Sequence, residues 1–313
     1  MAVTIAKERW TSKVAEVLLG SGPTAVKVGG ESTLPFIFSD GEIPNRPVVA
    51  LEVWDMEPVD WPEIMVSSYD GVLSDPVAWA KKCVEYGADV VCLTLVSAHP
   101  DNQNTSPEEC ARVARDVADG VSIPLIIQGC GVEEKDAQIL EKVAAALGGR
   151  NCLLGCATQK NYMAITAACI MYGHNIIAST PLDINLEKQL NILITEMNLA
   201  PNRIIIDPAV GPLGYGIEYA YSIIERTRVS ALTGDKMLAM PVICFVGQEA
   251  WKTREARSAT AEMPEWGSQE RRAIQWELVT ATALAQAGSS LLVLRHPESL
   301  KQFKLHLNNI MQK

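Results

Sequence analysis

The chain has few aromatic residues and no long cluster of positive charge. Aromatic side chains make up 6% of its 313 residues, whereas hydrophobic residues make up 48%. The formal net charge is −10, and no run of Lys and Arg exceeds two residues. Nucleic acids and anionic membranes both attract clustered positive charge. We therefore expect neither a nucleic acid nor a membrane surface among its partners.

Segments that direct a chain into a membrane are also missing from the sequence. No uninterrupted apolar run reaches the roughly 18 residues that a spanning helix needs, and the first residues, MAVTIAKERW, contain no apolar core typical of a signal peptide. The eight cysteines include no CxxC pair. We expect them to be buried free thiols rather than metal or cluster ligands. These features predict a cytoplasmic protein.

Eight short apolar runs recur from residue 47 onward. Each run is continuous rather than alternating, which is typical of a parallel strand covered on both faces. Helical stretches separate the runs, and Asp75, Ser106, Asp183 and Ser268 are placed to begin four of the helices. This order predicts an α/β fold that closes as a (β/α)8 TIM barrel over residues 47–313, with an open doubly wound sheet as the alternative. The runs span residues 47–53, 88–96, 123–129, 151–155, 175–179, 203–207, 241–247 and 290–296.

Residues 1–46 form an extension before the first apolar run. Within it, residues 24–30 and 33–38 resemble the two strands of a hairpin, separated by Glu31 and Ser32. We expect this hairpin to cover the N-terminal end of the barrel. Because no linker divides the chain, the extension and the barrel are expected to form one structural domain.

The loop after the second run is rich in neutral hydrogen-bonding side chains. In barrels of this kind, functional residues lie on the loops that follow the C-terminal ends of the strands. Asn102, Gln103 and Asn104 can each donate and accept hydrogen bonds, which suits a ligand with many amide groups. The alternative is an ordinary polar loop whose Asn side chains bond to their own turns.

A glycine-rich loop follows the sixth run, which ends at Asp207. Gly211 and Gly214 permit close approach of the backbone to a flat ligand, and Tyr215 follows them. A tight turn into the next helix is the alternative. We expect this loop and the Asn102–Asn104 loop to form one side of a ligand pocket, with Gln128 at a neighbouring strand end.

The loop after the seventh run carries residues typical of a protein interface. Trp251, Arg254, Arg257, Met263 and Trp266 lie within it. Aromatic, Met and Arg side chains are enriched in the buried part of interfaces. The alternative is a loop that folds back on the barrel.

No familiar catalytic motif is present in the sequence. HExxH, GxxxxGK[ST], GxGxxG and GxSxG are all absent, and the four histidines are scattered, although His99 and His296 lie at or near strand ends. We therefore assign no catalytic residue and no metal ligand to this chain.

Several long segments carry a resemblance to a known family. KVGGESTLPFIFSDGEIPNRPVVALEVWD, LTLVSAHPDNQNTSPEE, LIIQGCGVEEKD and IIIDPAVGPLGYGIEY resemble the small subunit of the corrinoid iron–sulfur protein. That protein belongs to the acetyl-CoA pathway of carbon fixation in anaerobic bacteria and archaea. The resemblance extends through essentially the whole chain.

The resemblance implies a heterodimer with a large corrinoid iron–sulfur subunit. The large subunit would carry the 4Fe–4S cluster and a corrinoid (cobalamin) domain, with the corrinoid shared between that domain and the mouth of this barrel. The pair would take a methyl group from methyltetrahydrofolate through a transient methyltransferase partner and pass it to CO dehydrogenase/acetyl-CoA synthase. The candidate corrinoid contacts in this chain are Asn102, Gln103, Asn104, Gln128, Asp207, Gly211, Gly214 and Tyr215.

Two other functions stay open from the sequence. The barrel also resembles pterin-binding methyltransferases, in which strand-end Asp and Asn residues hold the pterin ring. In that case the chain itself would act on methyltetrahydrofolate, with Asp207 and either Asn102 or Asn104 holding the pterin. In the other case the chain would stabilise the large subunit without touching the cofactor.

Overall fold

The computed structural model describes residues 6–312 and shows eight parallel strands surrounded by helices. Two short strands, β1 (Glu16–Leu19) and β2 (Val26–Gly29), come first. The barrel strands are β3 (Val48–Trp54), β4 (Val90–Thr94), β5 (Leu125–Gln128), β6 (Leu153–Ala157), β7 (Asn175–Ser179), β8 (Ile204–Asp207), β9 (Ile243–Cys244) and β10 (Leu291–Leu294). Each of the eight apolar runs overlaps one of these strands, which confirms the predicted fold class.

Helices alternate with the barrel strands and cover their outer faces. Their bounds are α1 (Glu63–Val66), α2 (Pro76–Glu85), α3 (Pro107–Gly120), α4 (Glu133–Ala146), α5 (Tyr162–Tyr172), α6 (Ile184–Glu196), α7 (Ile217–Leu232), α8 (Val246–Ala250), α9 (Arg254–Arg257), α10 (Gln269–Ala287) and α11 (Pro297–Met311). In the part of the chain that the structure describes, no helix combines the length and the apolar character needed to cross a membrane.

The predicted helix starts are confirmed by their capping hydrogen bonds. The carboxylate of Asp75 accepts from the backbone N–H groups of Val77 and Ala78, at 2.9 and 3.2 Å. Ser106, Asp183 and Ser268 cap α3, α6 and α10 in the same manner. These side chains satisfy N–H groups that the first turn of a helix leaves without an intrahelical partner.

The barrel closes between β8 and β9. Seven parallel strand pairs run from β8 through β3 to β9, with one register shift in the β6–β7 pair between Leu154 and Ala157. The remaining gap is bridged where Ile206 pairs with Val242, and Ile206 N–H donates to the carbonyl of Pro241 at 2.9 Å. The alternative of an open sheet is therefore wrong.

Strand side chains alternate between two apolar layers. In β3, Val49, Leu51 and Val53 pack outward against the helices. Val48 and Ala50 face inward, where they meet Val17, one of the buried residues of the N-terminal hairpin. Because both faces are covered, every residue from 48 to 53 is buried, and continuous apolar runs are the result.

The N-terminal hairpin has a different pairing from the predicted one. β2 pairs with the preceding β1 in antiparallel register, from Glu16 opposite Gly29 to Leu19 opposite Val26. Residues 33–38 form turns instead of a strand. The predicted pairing of residues 24–30 with 33–38 is therefore wrong. Gly20 and Gly22 explain the difference, because their positive φ angles allow the chain to reverse before β2 rather than after it.

The hairpin lies against the N-terminal ends of the barrel strands. The side-chain amides of Asn151 and Asn175 donate to the carbonyl of Leu18 at 2.8 and 3.0 Å. The backbone N–H of Gly20 donates a hydrogen bond to the backbone carbonyl of Asn151 at 2.9 Å. This end of the barrel is thus covered, and the opposite end is left to the loops.

Candidate functional site

A ring of polar side chains lines the C-terminal mouth of the barrel. Each of the eight strands, or the segment between it and the next strand, contributes one residue near the C-terminal end of the strand. We call this set the mouth ring: Glu52, Thr94, Gln128, Cys156, Ser179, Asp207, Gln248 and Arg295. Strand ends of a parallel barrel converge on one rim, which explains how residues far apart in sequence meet here.

Glu52 is the most buried charge of the mouth ring, with 1% of its surface exposed. Its carboxylate accepts hydrogen bonds from Thr94 at 3.0 Å, from Gln248 at 2.8 Å and from Nε of Arg295. Burial opposes ionisation of this carboxyl, but the charge of Arg295 and these hydrogen bonds together bring its pKa below the usual value. Glu52 is therefore a structural anion held by its donors.

Gln128 joins the two halves of the mouth ring. Its side-chain oxygen accepts from Gln248 at 2.6 Å and lies 3.3 Å from the Thr94 hydroxyl. Its amide nitrogen lies 3.8 Å from the sulfur of Cys156. A neutral amide thus occupies the middle of the mouth and links Glu52 on one side to Asp207 on the other.

Asp207 lies in the half of the mouth ring opposite Glu52, next to Cys156 and Ser179. Its Oδ2 accepts from the Ser179 hydroxyl at 2.7 Å and lies 3.8 Å from Cys156 Sγ, while Oδ1 accepts from Ala209 N–H at 3.0 Å. Burial raises the pKa of Asp207 despite these donors. Burial and the neighbouring Asp207 carboxyl also hold the pKa of Cys156 well above its usual value. Since the thiolate is the nucleophile, Cys156 stays in its unreactive form.

The Asn102–Asn104 loop uses most of its polar side chains internally. Asn102 donates to the carbonyl of Val96 at 2.8 Å, and Asn104 accepts from the ammonium of Lys135. Gln103 is exposed, and no described residue forms a hydrogen bond with its side chain. Asp55 fixes the base of the loop by accepting from Ser97 N–H at 2.8 Å.

The glycine loop is anchored to α10. Leu213 accepts from the indole of Trp276 at 3.0 Å, and its N–H donates to Thr280 at 3.2 Å. A Cβ on Gly211 would lie 2.5 Å from the carbonyl oxygen of Tyr215, so only glycine fits there. Gly214 has a φ of +78°, a conformation that glycine adopts without strain. The loop is therefore a tight turn into α7, whatever else it contacts.

A groove of about 650 Å³ separates the glycine loop from α8 and α9. Gly211, Pro212 and Tyr215 line one side, and Lys252 and Arg254 line the other. Tyr215 is half exposed at the rim and donates from its hydroxyl to Glu255 at 3.0 Å. Two of the predicted site residues, Gly211 and Tyr215, therefore border one continuous groove together with the neighbouring Pro212.

The two predicted loops face each other across the mouth. They follow β4 and β8, which are four strands apart in either direction around the eight-stranded barrel. Strands four apart are diametrically opposed, so the two loops lie at opposite edges of the same rim, and the expectation that they form one side of a ligand pocket stays a prediction. Gln128 and Asp207 lie between them in the mouth ring.

The loop after β9 folds back on the barrel in part. Trp251 is buried and stacks on His296, with ring centroids 5.7 Å apart. His296 is also buried and caps α11, so it does not reach the mouth. Trp266 is half-buried at the rim, with the guanidinium groups of Arg254 and Arg272 at 5.4 and 5.5 Å from its ring.

All eight cysteines are free thiols, and six are fully buried. The other two, Cys130 and Cys156, are partly exposed. Within residues 6–312, no group of three or more His, Cys, Asp or Glu side chains is arranged to hold a metal ion.

Sequence reasoning missed Glu52, Gln248 and Arg295. The signal was present in two of the three, because Glu52 interrupts the apolar run VVALEVW and Arg295 directly follows LLVL. A charge at the C-terminal end of a strand buried on both faces points into a barrel mouth. Gln248 had no such signal, since it lies in a helix.

Solved structures with the same fold are dihydropteroate synthases. The enzyme from Xanthomonas albilineans in complex with 7,8-dihydropteroate matches with a TM-score of 0.57 at 13% identity, covering 90% of this chain and 100% of that one. The enzyme from Coxiella burnetii in complex with pteroic acid also gives 0.57, at 12% identity, covering 90% and 99%. This likeness shows that the chain has the fold of a (β/α)8 barrel.

The sequence comparison is more specific. Residues 16–301 match the model of the CO dehydrogenase/acetyl-CoA synthase delta subunit. The delta subunit of the acetyl-CoA decarbonylase/synthase complex of Methanosarcina mazei is 37% identical, over 94% of this chain and 70% of the relative. That of Archaeoglobus fulgidus is 35% identical, over 97% and 70%. The chain belongs to this delta subunit family, which confirms the predicted resemblance.

Proposed function

We propose that this chain is the small, non-catalytic subunit of a heterodimeric corrinoid iron–sulfur methyl carrier. It would cap the corrinoid that a large subunit binds, and the 4Fe–4S cluster would belong to the large subunit alone. The pair would receive a methyl group from methyltetrahydrofolate through a methyltransferase and deliver it to CO dehydrogenase/acetyl-CoA synthase. Membership of the delta subunit family supports this role.

The groove beside the glycine loop carries the proposal. It opens on the mouth of the barrel, and its lining includes the apolar side chains of Leu182, Val210 and Pro212. Such a surface suits the edge of a large, flat macrocycle. When bound, the corrinoid would supply the cobalt that accepts and releases the methyl group.

The residues of this chain would place and shield the cofactor. Gly211, Gly214 and Tyr215 would contact it from the glycine-loop side, and Asn102, Gln103 and Asn104 from the opposite rim. Gln128 and Asp207 lie between them. Neutral amides pair with the amide side chains of a corrinoid without adding charge. The mouth ring would contribute no competing nucleophile, because the Cys156 thiol is held protonated.

The domain organisation follows from the same proposal. We propose that residues 1–46 act as an extension whose hairpin covers the N-terminal end. Residues 47–313 would act as the barrel, and the two parts would form one structural domain. Partners would then approach from the C-terminal mouth, which the extension leaves open.

A second candidate function is pterin binding by the chain itself. Asp207 lies at the end of β8 in the mouth, where a strand-end carboxylate could meet a pterin ring. Both of its oxygens already accept hydrogen bonds from the protein. A pterin N–H would have to share these oxygens with the donors from Ser179 and Ala209, so we rank this function second.

Reconstitution with the large subunit tests the proposal. We expect a one-to-one complex whose visible corrinoid spectrum differs from that of the large subunit alone. Gly214→Val should slow methyl transfer more than it destabilises the fold, and Lys27→Gln, at the N-terminal end, should change neither property. Formation of the complex with an unchanged spectrum would support a purely structural subunit. Tight binding of methyltetrahydrofolate by the isolated chain would support the second candidate.

A further inference from the structure

A small cavity of about 110 Å³ lies beside the mouth ring, under the loop that follows β3. Trp54, Trp61 and Trp251 form part of its walls, and the cationic side chains of Arg295, Lys252 and Arg257 border it. Asp60 is the one carboxylate among its lining residues. The cavity is separate from the glycine-loop groove, although Lys252 lines both.

Arg295 has hydrogen-bonding capacity that the protein does not use. Only 7% of the residue is exposed, and its Nε donates to Glu52. A guanidinium carries five N–H donors. Within residues 6–312 no group accepts a hydrogen bond from its two terminal nitrogens, which leaves four donors open beside the cavity. Arg295 lines the cavity, so an acceptor that enters the cavity can reach this edge of the guanidinium.

The aromatic walls hold the guanidinium in place. The rings of Trp54 and Trp61 lie 5.1 and 5.0 Å from its central carbon and are themselves in edge-to-face contact. Cation–π contacts of this kind stabilise the charge and leave the edge of the guanidinium plane free. The indole N–H of Trp61 is also buried without a hydrogen-bond partner among the described residues. The guanidinium of Arg295 and the indole N–H of Trp61 therefore both lack a hydrogen-bond acceptor among the described residues.

The charges at the entrance favour the same kind of ligand. Lys252 contacts Glu249 at 2.7 Å, and Arg257 lies 4.0 Å from the carboxylate of Asp60. Both pairs are solvent-exposed, and exposed pairs hold their partners weakly. Either cation can therefore turn towards an anion that enters the cavity.

We propose that this cavity binds a small oxyanion, a carboxylate or a phosphate group, through the terminal nitrogens of Arg295. Two oxygens of a carboxylate or of a phosphate group match the forked geometry of a guanidinium. The cavity, at about 110 Å³, has room for a group of a few heavy atoms such as a carboxylate or a phosphate. Through Lys252 the site adjoins the groove, and it would hold the anionic end of a ligand that lies there. The site does not rest on the proposed function, because every residue of it belongs to this chain.

Tryptophan fluorescence of the full-length chain tests this site directly. Inorganic phosphate and glutarate are titrated separately at constant ionic strength, with potassium chloride as the reference salt. We expect a saturable change in emission, because Trp54 and Trp61 flank the binding group. The anion with the lower Kd identifies the class, phosphate or carboxylate. If neither salt changes the emission more than potassium chloride does, the proposal is wrong.

Two variants with the same change of charge give the matched comparison. The double substitution Lys252→Gln/Arg257→Gln removes the two entrance cations and should raise the Kd about tenfold, a difference of about 1.4 kcal/mol. Lys142→Gln/Lys301→Gln removes two exposed cations on the outer helices and should leave the Kd unchanged. Equal weakening of anion binding by both double variants would show non-specific attraction and would contradict the proposed site.

Arg295→Lys keeps the positive charge but lacks the planar guanidinium with its paired donors. We expect this variant to lose the preference for either oxyanion over chloride.

Discussion

Arg295 donates a hydrogen bond from Nε to the buried carboxylate of Glu52, which ties the last strand of the barrel to the first. The backbone register agrees, since Leu294 of β10 lies opposite Leu51 of β3. Both side chains are nearly inaccessible to solvent. A buried charge is costly without a partner, so each residue depends on the other at the mouth.

Removing one member of this pair should destabilise the protein strongly. Arg295→Met leaves Glu52 as a buried carboxylate without its counter-charge, and we expect a loss of about 3 to 5 kcal/mol in the free energy of unfolding. Urea denaturation near neutral pH measures it. The double variant Glu52→Gln/Arg295→Met should recover part of the loss, because it removes both charges. A loss below about 1 kcal/mol, the usual value for an exposed pair, would contradict this role.

The same pair has a definite pH dependence. Because the folded-state pKa of Glu52 is lowered, its contribution is present above the unfolded pKa of about 4.3 and is lost as the pH falls through the folded value. The stability gap between the wild type and Arg295→Met should therefore narrow in acid. A gap that stays constant from neutral pH to acid would show that the charge of Glu52 is not involved.

Glu187 lies on α6 and its side chain packs against α7. Its contribution to the stability of the fold should have the opposite pH dependence. It is buried, accepts from the Thr227 hydroxyl at 2.9 Å, and burial raises its pKa to about 8. The folded state therefore holds a proton that the unfolded chain releases above about pH 4.3. Stability should fall as the pH rises from there to about 8, by a few kcal/mol.

Glu187→Gln should remove most of that decline, because the amide cannot ionise. The measurement is the urea midpoint at several pH values between 5 and 8, the window set by the raised pKa. Glu225→Gln, an exposed position on α7, is the matched control and should keep the wild-type slope. If Glu187→Gln also keeps the wild-type slope, Glu187 does not titrate in this range.

The barrel could be predicted from the sequence because its signals are local. Eight continuous apolar runs, each covered on both faces, leave few other folds. Asp75 and Ser106 likewise act within one helical turn of where they stand. The hairpin was mispredicted, since pairing of β2 with either flanking segment satisfies the local pattern. The positive φ angles of Gly20 and Gly22 allow the chain to reverse before β2, and β2 therefore pairs with β1.

The site was only partly predictable, because its geometry depends on contacts between distant strands. Asp207 and Gln128 were identified from their positions at strand ends. Glu52 and Arg295 are in contact although 243 positions separate them in the sequence, and no local sequence pattern predicts such a contact. The assignment of Asn102 and Asn104 to a ligand could not anticipate that the carbonyl of Val96 and the ammonium of Lys135 would occupy their side chains.

Gly211→Ala should disrupt the glycine loop through steric overlap alone. The new Cβ would lie 2.5 Å from the carbonyl oxygen of Tyr215, and the loop backbone would have to move. We expect a loss of about 1 to 3 kcal/mol and faster hydrogen exchange over residues 209–216. Gly148→Ala, where the nearest atom is 3.6 Å away, should change stability by no more than about 0.5 kcal/mol. Equal effects of the two substitutions would contradict the steric explanation.

Trp266→Ala should weaken the complex with the large subunit. Its ring is held half-buried at the rim between the guanidinium groups of Arg254 and Arg272, which fits an interface anchor. We expect a loss of about 2 kcal/mol in binding free energy, measured by titration calorimetry. Leu305→Ala removes an exposed apolar side chain on α11 and serves as the control. An unchanged affinity for Trp266→Ala would place the interface elsewhere.

Cys156 should react slowly with iodoacetamide near neutral pH, although it is partly exposed. Burial and the neighbouring Asp207 carboxyl raise its pKa, so little thiolate is present. Asp207→Asn removes that charge and should accelerate alkylation of Cys156, as followed by mass spectrometry of the modified peptides. Cys130 gives the internal reference, because its pKa is raised to about 11 by burial and by Asp136, not by Asp207. Asp116→Asn removes an exposed carboxylate on α3 that affects neither cysteine, so it should leave the ratio of the two rates unchanged. If Asp207→Asn also leaves that ratio unchanged, Asp207 does not control the state of the Cys156 thiol.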